Sequence, residues 1–377
     1  MTRRPETIAA QALIGYDAKT GAVAPPIHLA TTFSRDASYE LIDGRHYARD
    51  DAPTPQLAEA VIAALEGGPA AMVYASGMAA ATAAIRAHLT PGAHVIAPRA
   101  CYFAVRAWLA SFAARWGVAV DFVDTSDTAA VAAALRPGVT RLVWIETPAN
   151  PTLEVSDIAA IAELAHAAGA RLCVDSTAAT PVHAHPLALG ADLVMHSATK
   201  FLAGHSDVLA GALVTAREDA VWTDLHVMRR EEGPCLSPHA AFLLLRGMRT
   251  LFARVPQQSA TALALATRLG ELPGASVRYP GLAAHPQHAL AARQMTGGFG
   301  GLVALQTGGG AARALAVIQR LRVWVRATSL GGVESLVEHR ATVEGPDSPT
   351  PPDLLRLSCG LEHVEDLYED LAEALRA

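Results

Sequence analysis

Lysine is nearly missing from this chain: of 30 basic residues only Lys19 and Lys200 are lysine, and the other 28 are arginine. Asparagine occurs once, as Asn150. The four cysteines (Cys101, Cys173, Cys235 and Cys359) are scattered, with no Cys-x-x-Cys pair. That spacing argues against a zinc ribbon and a disulfide framework, and it fits a reducing, cytoplasmic setting. His183 and His185 form an isolated His-x-His with no further ligand cluster, so no metal site is expected. No stretch of about 18 uninterrupted apolar residues is present, which argues against a membrane-spanning helix. The start, MTRRPETIAAQALIGYD, lacks the apolar core of a secretory signal. Net charge is -6, without a basic block or an aromatic–basic stripe, so nucleic acid is not an expected partner. Neither a G-x-G-x-x-G fingerprint nor a G-x-x-x-x-G-K-[ST] loop occurs, which removes the usual nucleotide-binding α/β readings.

What is present is a large, apolar, alternating chain. At 377 residues it is long enough for two domains. Residues 1–55 are rich in turns and polar groups and read as an extended arm. Residues 56–245 alternate helices with short strands: AAMVYASG, HVIAP, VAVDFVD, TRLVWIET, ARLCVDS and ADLVMHSA. These strands are apolar on both faces, as in a buried, mainly parallel α/β sheet with helices on both sides. Residues 246–377 read as a smaller C-terminal α+β domain. It enters through the helical stretch HAAFLLLRGMRTLFARVPQQSATALALATRL and ends in the amphipathic HVEDLYEDLAEAL.

A composition that replaces lysine by arginine makes each surviving lysine informative. Arginine keeps the charge but does not give up its proton, so it cannot act as a nucleophilic amine. Imine formation with a carbonyl cofactor requires lysine itself. Lys200 lies in His196-Ser197-Ala198-Thr199-Lys200. Ser76-Gly77-Met78 follows a strand and opens a helix, where free backbone N–H groups suit phosphate. Asp175 ends a strand, where ligands of open parallel sheets bind. It suits either the ring nitrogen of a pyridine cofactor or a local turn. Ser197 and Thr199 offer hydroxyls to phosphate oxygens. An amine, an acid and a phosphate cup are together what pyridoxal 5′-phosphate (PLP) requires.

Longer motifs carry a family resemblance. ETIAAQALIGYDAKTGAVAPPIHLATTF, VDSTAATP, HSATKFLAGHSD, SLGGVESLVEHRAT and LLRLSCGLEHVEDL occur in order along nearly the whole chain. They resemble the Cys/Met metabolism PLP-dependent enzymes, the cystathionine γ-synthase/γ-lyase group of fold type I transferases. The resemblance implies that Lys200 forms the Schiff base with PLP and shuttles protons. It implies that Asp175 meets the pyridinium and that Asn150 lies beside the phenolic oxygen and the substrate. Ser76, Gly77, Met78, Ser197 and Thr199 would cup the phosphate. Tyr102 would stack on the ring and serve in acid–base steps. Tyr47 and Arg49 would reach a neighbouring subunit's phosphate, with Tyr47 also near the reacting atoms. Arg356, with Ser329 and Thr328 beside it, would bind the substrate carboxylate. A homotetramer built as a dimer of dimers is the expected assembly, and a small amino acid the expected substrate.

The implied activity is γ-elimination or γ-replacement on a homoserine-derived or sulfur amino acid. Three alternatives stay open: a β-lyase on cystathionine or a cysteine conjugate, a γ-lyase on a non-sulfur γ-substituted amino acid, and a PLP-binding regulatory protein without turnover. The chain departs from the family pattern at three places: Tyr102-Phe103-Ala104-Val105 brings bulk where glycines are common, Ala52-Pro53-Thr54 stands for Asn-Pro-Thr, and Thr328 replaces a frequent glutamate. The last removes a partner for the distal ammonium of cystathionine, and the first reshapes the pocket.

Overall fold

The computed structural model describes residues 3–345 and 348–376; residues 1, 2 and 377, at the outer ends of the expected arm and C-terminal domain, lie outside the described residues. Its first sheet has seven strands: β1 (Ala70–Tyr74), β2 (His94–Pro98), β3 (Ala119–Val123), β4 (Thr140–Glu146), β5 (Arg171–Asp175), β6 (Leu193–His196) and β7 (Gly211–Thr215). Their order is β1-β7-β6-β5-β4-β2-β3. Every neighbouring pair from β3 to β6 is parallel, and β7 runs antiparallel to both β6 and β1.

Alternate residues of these strands serve opposite faces, as the pleat requires. Met72, Val95, Leu142, Trp144, Cys173 and Leu213 pack with the helices Gly77–Arg86, Phe103–Trp116 and Ala220–Glu232. On the other face, Val143, Ile145, Leu172 and Val174 pack with the helix Ile158–Ala167. Val73, Val194, Ala212 and Val214 meet the helices Pro53–Glu66 and Pro238–Met248. Both faces are therefore dry, which explains strands without polar alternation. The edge strand β3 is only half-buried and tolerates Asp121.

A second sheet holds β8 (Ser276–Arg278), β9 (Leu302–Gln306), β10 (Val325–Arg326), β11 (Leu336–His339) and β12 (Leu354–Ser358), in the order β10-β11-β12-β9-β8. It is antiparallel apart from the β10–β11 pair. Val303, Leu305, Leu355 and Leu357 face the helices Leu251–Leu269, Gly310–Arg320 and Val364–Arg376. Arg356 projects the other way, opposite Glu338 on β11.

The N-terminal segment differs from a wholly extended arm. Pro5–Gln11 is a helix, and Ala9 and Ala12 join the core beside the helix Pro53–Glu66. That helix begins at Pro53, whose fixed φ and missing N–H suit a first helical turn. Between them, residues 13–50 hold no helix or strand longer than an isolated bridge. They leave Val23, Leu29, Tyr39 and Ile42 between 60% and 77% exposed, an unusual display of apolar surface. No described helix is long and apolar enough to cross a membrane.

Candidate active site

The carboxyl ends of β4, β5 and β6 open into a cavity of about 510 Å³, closed on its far side by residues of the second sheet. Lys200 and Asp175 both line it, as do Ser76, Gly77, Met78, Tyr102, Asn150, Ser197, Thr199, Thr328, Ser329 and Arg356.

Lys200 leaves β6 through a tight turn and points its Nζ at Ser329 Oγ, to which it donates at 2.8 Å. Burial lowers its pKa to about 8, and the nearby Arg356 guanidinium adds to the effect. Ser329 holds a left-handed φ of 85°, unusual for a residue with a side chain. Its backbone oxygen accepts from Arg356 Nη2. Arg356 Nη1 donates to Asn150 Oδ1 at 3.2 Å, and Arg356 Nη2 pairs with Glu338 Oε2 at 2.6 Å. Its Nε has no partner among the described residues, and burial lowers the guanidinium to about 10.

Asp175 is buried, and its Oδ1 accepts from Thr177 N (3.0 Å) and Thr177 Oγ1 (2.5 Å). Burial raises its pKa, and the Thr177 bonds work against that shift. Among the described residues no cationic side chain pairs with it. A buried carboxylate without a counter-charge is costly, so the position suits a cation from a ligand.

Ser76 caps the helix Gly77–Arg86, its Oγ accepting from Ala79 N at 3.1 Å. A Cβ on Gly77 would lie 2.7 Å from Ser197 Oγ, so only glycine leaves the helix start open beside that hydroxyl. Gly211 on β7 is needed for the same turn, because a Cβ there would meet the Ser76 backbone oxygen at 2.2 Å. Thr199 Oγ1 is spent on the backbone: it donates to Ala210 O and accepts from Ala210 N.

Glu146 was not foreseen. It ends β4 beside Asp175 and is equally buried. One of its oxygens accepts from Tyr102 N (2.8 Å) and the other from Asn150 N (2.7 Å). It thus fixes two of the expected site residues from behind. Burial and the neighbouring Asp175 push it up to about 8. The rule that placed Asp175 at a strand end applies equally to Glu146 in TRLVWIE. Glu338, Arg340 and Phe103 also line the cavity and were not singled out as binding residues.

Tyr47 and Arg49 are not brought to this cavity. They line a separate open cleft of the N-terminal segment, with the Arg49 guanidinium 5.4 Å from the Tyr47 ring centroid. Tyr102 does line the cavity and is 37% exposed, available for contact with a ligand ring. No group of three or more His, Cys, Asp or Glu among the described residues is placed to hold a metal.

The residues present fit PLP. The uncompensated Asp175 suits a protonated ring nitrogen, and the opening at Gly77 and Ser197 suits a phosphate. The partly neutral Lys200 amine suits a carbonyl carbon.

Comparison with known proteins agrees. The sequence matches the Cys/Met metabolism PLP-dependent enzyme family over residues 6–376. It is 43% identical over 377 residues to cystathionine gamma-synthase of Mycobacterium tuberculosis, covering 98% of this chain and 96% of that one. It is 38% identical over 386 residues to L-methionine gamma-lyase of Pseudomonas putida, covering 96% and 95%. The solved structure of cystathionine gamma synthase from Xanthomonas oryzae pv. oryzae in complex with cystathionine superimposes with a TM-score of 0.94 at 37% identity, covering 100% of this chain and 98% of that one. The chain therefore belongs to the Cys/Met metabolism PLP-dependent enzymes, and PLP is its cofactor.

Proposed function

We propose that this enzyme catalyses γ-elimination or γ-replacement on a homoserine-derived or sulfur amino acid, with Lys200 as its central residue. The observation that carries this reading is the chain of contacts Lys200–Ser329–Arg356–Asn150, which sets a proton-transferring amine beside a carboxylate site. When bound, PLP supplies the electron-accepting ring that makes protons at Cα and Cβ of an amino acid acidic.

The protein's own groups do the rest. Arg356 takes the substrate carboxylate through a planar donor pair and so fixes which bond at Cα faces Lys200. Lys200, neutral in part at pH 7, accepts the Cα proton and moves it along the substrate. Tyr102 is placed to give a proton to the departing heteroatom. Glu146 keeps Tyr102 and Asn150 in register by holding both backbones. Met78, Phe103 and Val105 cover the reacting end with apolar surface and limit water there. Release of the unsaturated product as an enamine, which water hydrolyses to a 2-oxo acid and ammonia, completes elimination, whereas attack of a second nucleophile at Cγ completes replacement.

The reading extends to assembly. Residues 1–55 act as an arm, 56–245 as the cofactor-binding domain and 246–377 as the C-terminal domain. The exposed apolar residues of 13–50 are covered by a second copy, and Tyr47 and Arg49 reach that copy's phosphate cup. A cytoplasmic homotetramer, a dimer of such dimers, is the expected form.

Proton NMR of products tests the chemistry. PLP-loaded protein is given L-cystathionine in one tube and an O-acylhomoserine with cysteine in another. The expected products are 2-oxobutanoate in the first or new cystathionine in the second. Pyruvate with homocysteine would instead mean β-cleavage. A bound cofactor with no product across a panel of amino acids would mean a non-catalytic role.

A further inference from the structure

Behind the cavity lies a buried polar pair that the mechanism above does not use. His196 ends β6 and Glu66 ends the helix Pro53–Glu66, and His196 Nε2 lies 2.6 Å from Glu66 Oε1. The two residues are 1% and 2% exposed. Glu66 Oε2 is buried with no partner among the described residues. This face of the sheet is otherwise apolar: Val73, Val194, Ala212 and Val214 share one core with Ile62 and Leu65 of the same helix. Two hydrophobic side chains of similar volume would fill the space without loss of stability, so packing does not account for the pair.

Its place in the chain gives it a route to the cofactor site. The residue after His196, Ser197, donates its backbone N–H to Thr177 Oγ1 at 2.8 Å, and Thr177 Oγ1 donates to Asp175 Oδ1 at 2.5 Å. A hydrogen-bonded path therefore runs from the end of β6 to the carboxyl group expected to meet the ring nitrogen. Pairing of β5 with β6 sets Asp175 opposite Met195, one residue before His196, so Asp175 and His196 leave adjacent strand ends on opposite faces. The charges around Asp175 pull in different directions. Glu146, its neighbour on β4, is a like charge and opposes its ionisation. Burial opposes it too, and what works in favour of the carboxylate is the pair of Thr177 hydrogen bonds and the charge of a protonated His196.

We propose that Glu66 and His196 are positioning residues that keep Asp175 ionised for a protonated ring nitrogen of the cofactor. Glu66 orients the imidazole and fastens the end of β6 to the helix. The fastened strand end aims the Ser197 N–H at Thr177, and Thr177 in turn directs its hydroxyl proton to Asp175. The role rests on Asp175 meeting the ring nitrogen, and adds a supporting layer beneath that contact.

PLP and its 1-deaza analogue, in which C–H replaces the ring nitrogen, isolate the effect. They share the aldehyde and the phosphate and differ in the atom that Asp175 meets. Fluorescence titration of the cofactor-free protein gives an affinity for each, and their ratio cancels any general loss of folded protein or of phosphate binding. The natural chain should prefer PLP by about tenfold or more, the range of a buried charge-assisted contact. Glu66→Met combined with His196→Leu removes both polar groups and leaves no unpaired partner, so the fold should stand in a melting curve. In that protein the ratio should fall by roughly fivefold or more. His196→Gln keeps a donor for Glu66 without the charge and should lower the ratio by about threefold; it decides alone if the apolar pair does not fold. The loaded enzymes give an independent reading in the pH midpoint of the cofactor's absorbance. A ring nitrogen that holds its proton less well lets the neighbouring imine keep its own to higher pH, so the apolar pair should move the midpoint up by about half a unit to one unit. Affinities for the two compounds that weaken together, with the ratio unchanged, would leave the pair a purely structural role and overturn the proposal. A midpoint that stays in place or moves down overturns it as well. A ratio near one already in the natural chain would overturn the contact between Asp175 and the ring nitrogen, and the role of the pair with it.

Discussion

Burial governs the amine of Lys200 more than any neighbouring charge does. An ordinary lysine, near 10.4, is neutral in only about one molecule in 2,500 at pH 7. A value of about 8 raises that to about one in ten. The amine is the reactive form, so binding of PLP to the cofactor-free protein should speed up about tenfold per pH unit below pH 8 and level off above it. Stopped-flow absorbance would record this, and a rate still climbing steeply at pH 9.5 would contradict the shift. Borohydride reduction followed by mass spectrometry should place the cofactor on the peptide holding Lys200, and Lys200→Ala should carry none. Lys19 is exposed in the N-terminal segment, away from the cavity. At this scale the sequence was readable where chemistry excludes substitutes. Lys200 and Asn150 stood out because arginine had displaced lysine elsewhere and no second asparagine competes for notice. Arg340 did not stand out, since one arginine among 28 looks like any other until its burial is known. Glu146 acts through two backbone N–H groups, and such contacts leave no mark on residue spacing.

Strand ends and the turns after them position Ser76, Glu146, Asp175, Ser197 and Lys200 at the cavity. The apolar runs for β1 to β6 were legible because burial on both faces removes polar alternation. β7 (GALVT) was not foreseen: it is short, opens with glycine and runs against the parallel pattern around it. Its glycine is explained by packing, because the Ser76 turn sits directly on it. The apolar segment LRVWVRAT contributes only the two residues of β10, because Val323 and Trp324 turn aside to donate their N–H groups to Asp370. The turn before Gly77–Arg86 allows a sharp test. Gly77→Ala changes the first residue of this helix, and a melting curve of the cofactor-free protein separates any loss of fold from loss of cofactor binding. The new Cβ would crowd Ser197 Oγ and displace it from the phosphate side of the cavity. PLP affinity, read by fluorescence titration of the cofactor-free protein, should fall by about tenfold or more. Unchanged affinity would remove the helix start and Ser197 from the phosphate cup.

Across the whole molecule, one chain leaves two features unfinished. The N-terminal segment between residues 13 and 50 exposes large apolar side chains, and Tyr47 and Arg49 lie in a cleft of their own rather than at the cavity. The family resemblance implies this separation, whereas residue spacing alone carries no information about which copy of the chain a motif serves. A two-fold dimer resolves both features if each arm crosses to the other subunit, because such an interface is reciprocal. Mixing two inactive variants tests the crossing. Arg49→Ala should lower phosphate affinity in the partner's site, and Lys200→Ala should abolish chemistry in its own. In a mixed dimer, the Arg49→Ala subunit keeps its lysine and receives an intact arm, so one site of two is whole. Random exchange at equal concentrations makes half of the dimers mixed, so recovered activity should approach about a quarter of the natural level at limiting PLP. Activity that stays at the mean of the two separate variants after full subunit exchange would place Arg49 in its own subunit's site or outside the site altogether. The same mixture without exchange, held at high protein concentration, is the control, and there no recovery is expected.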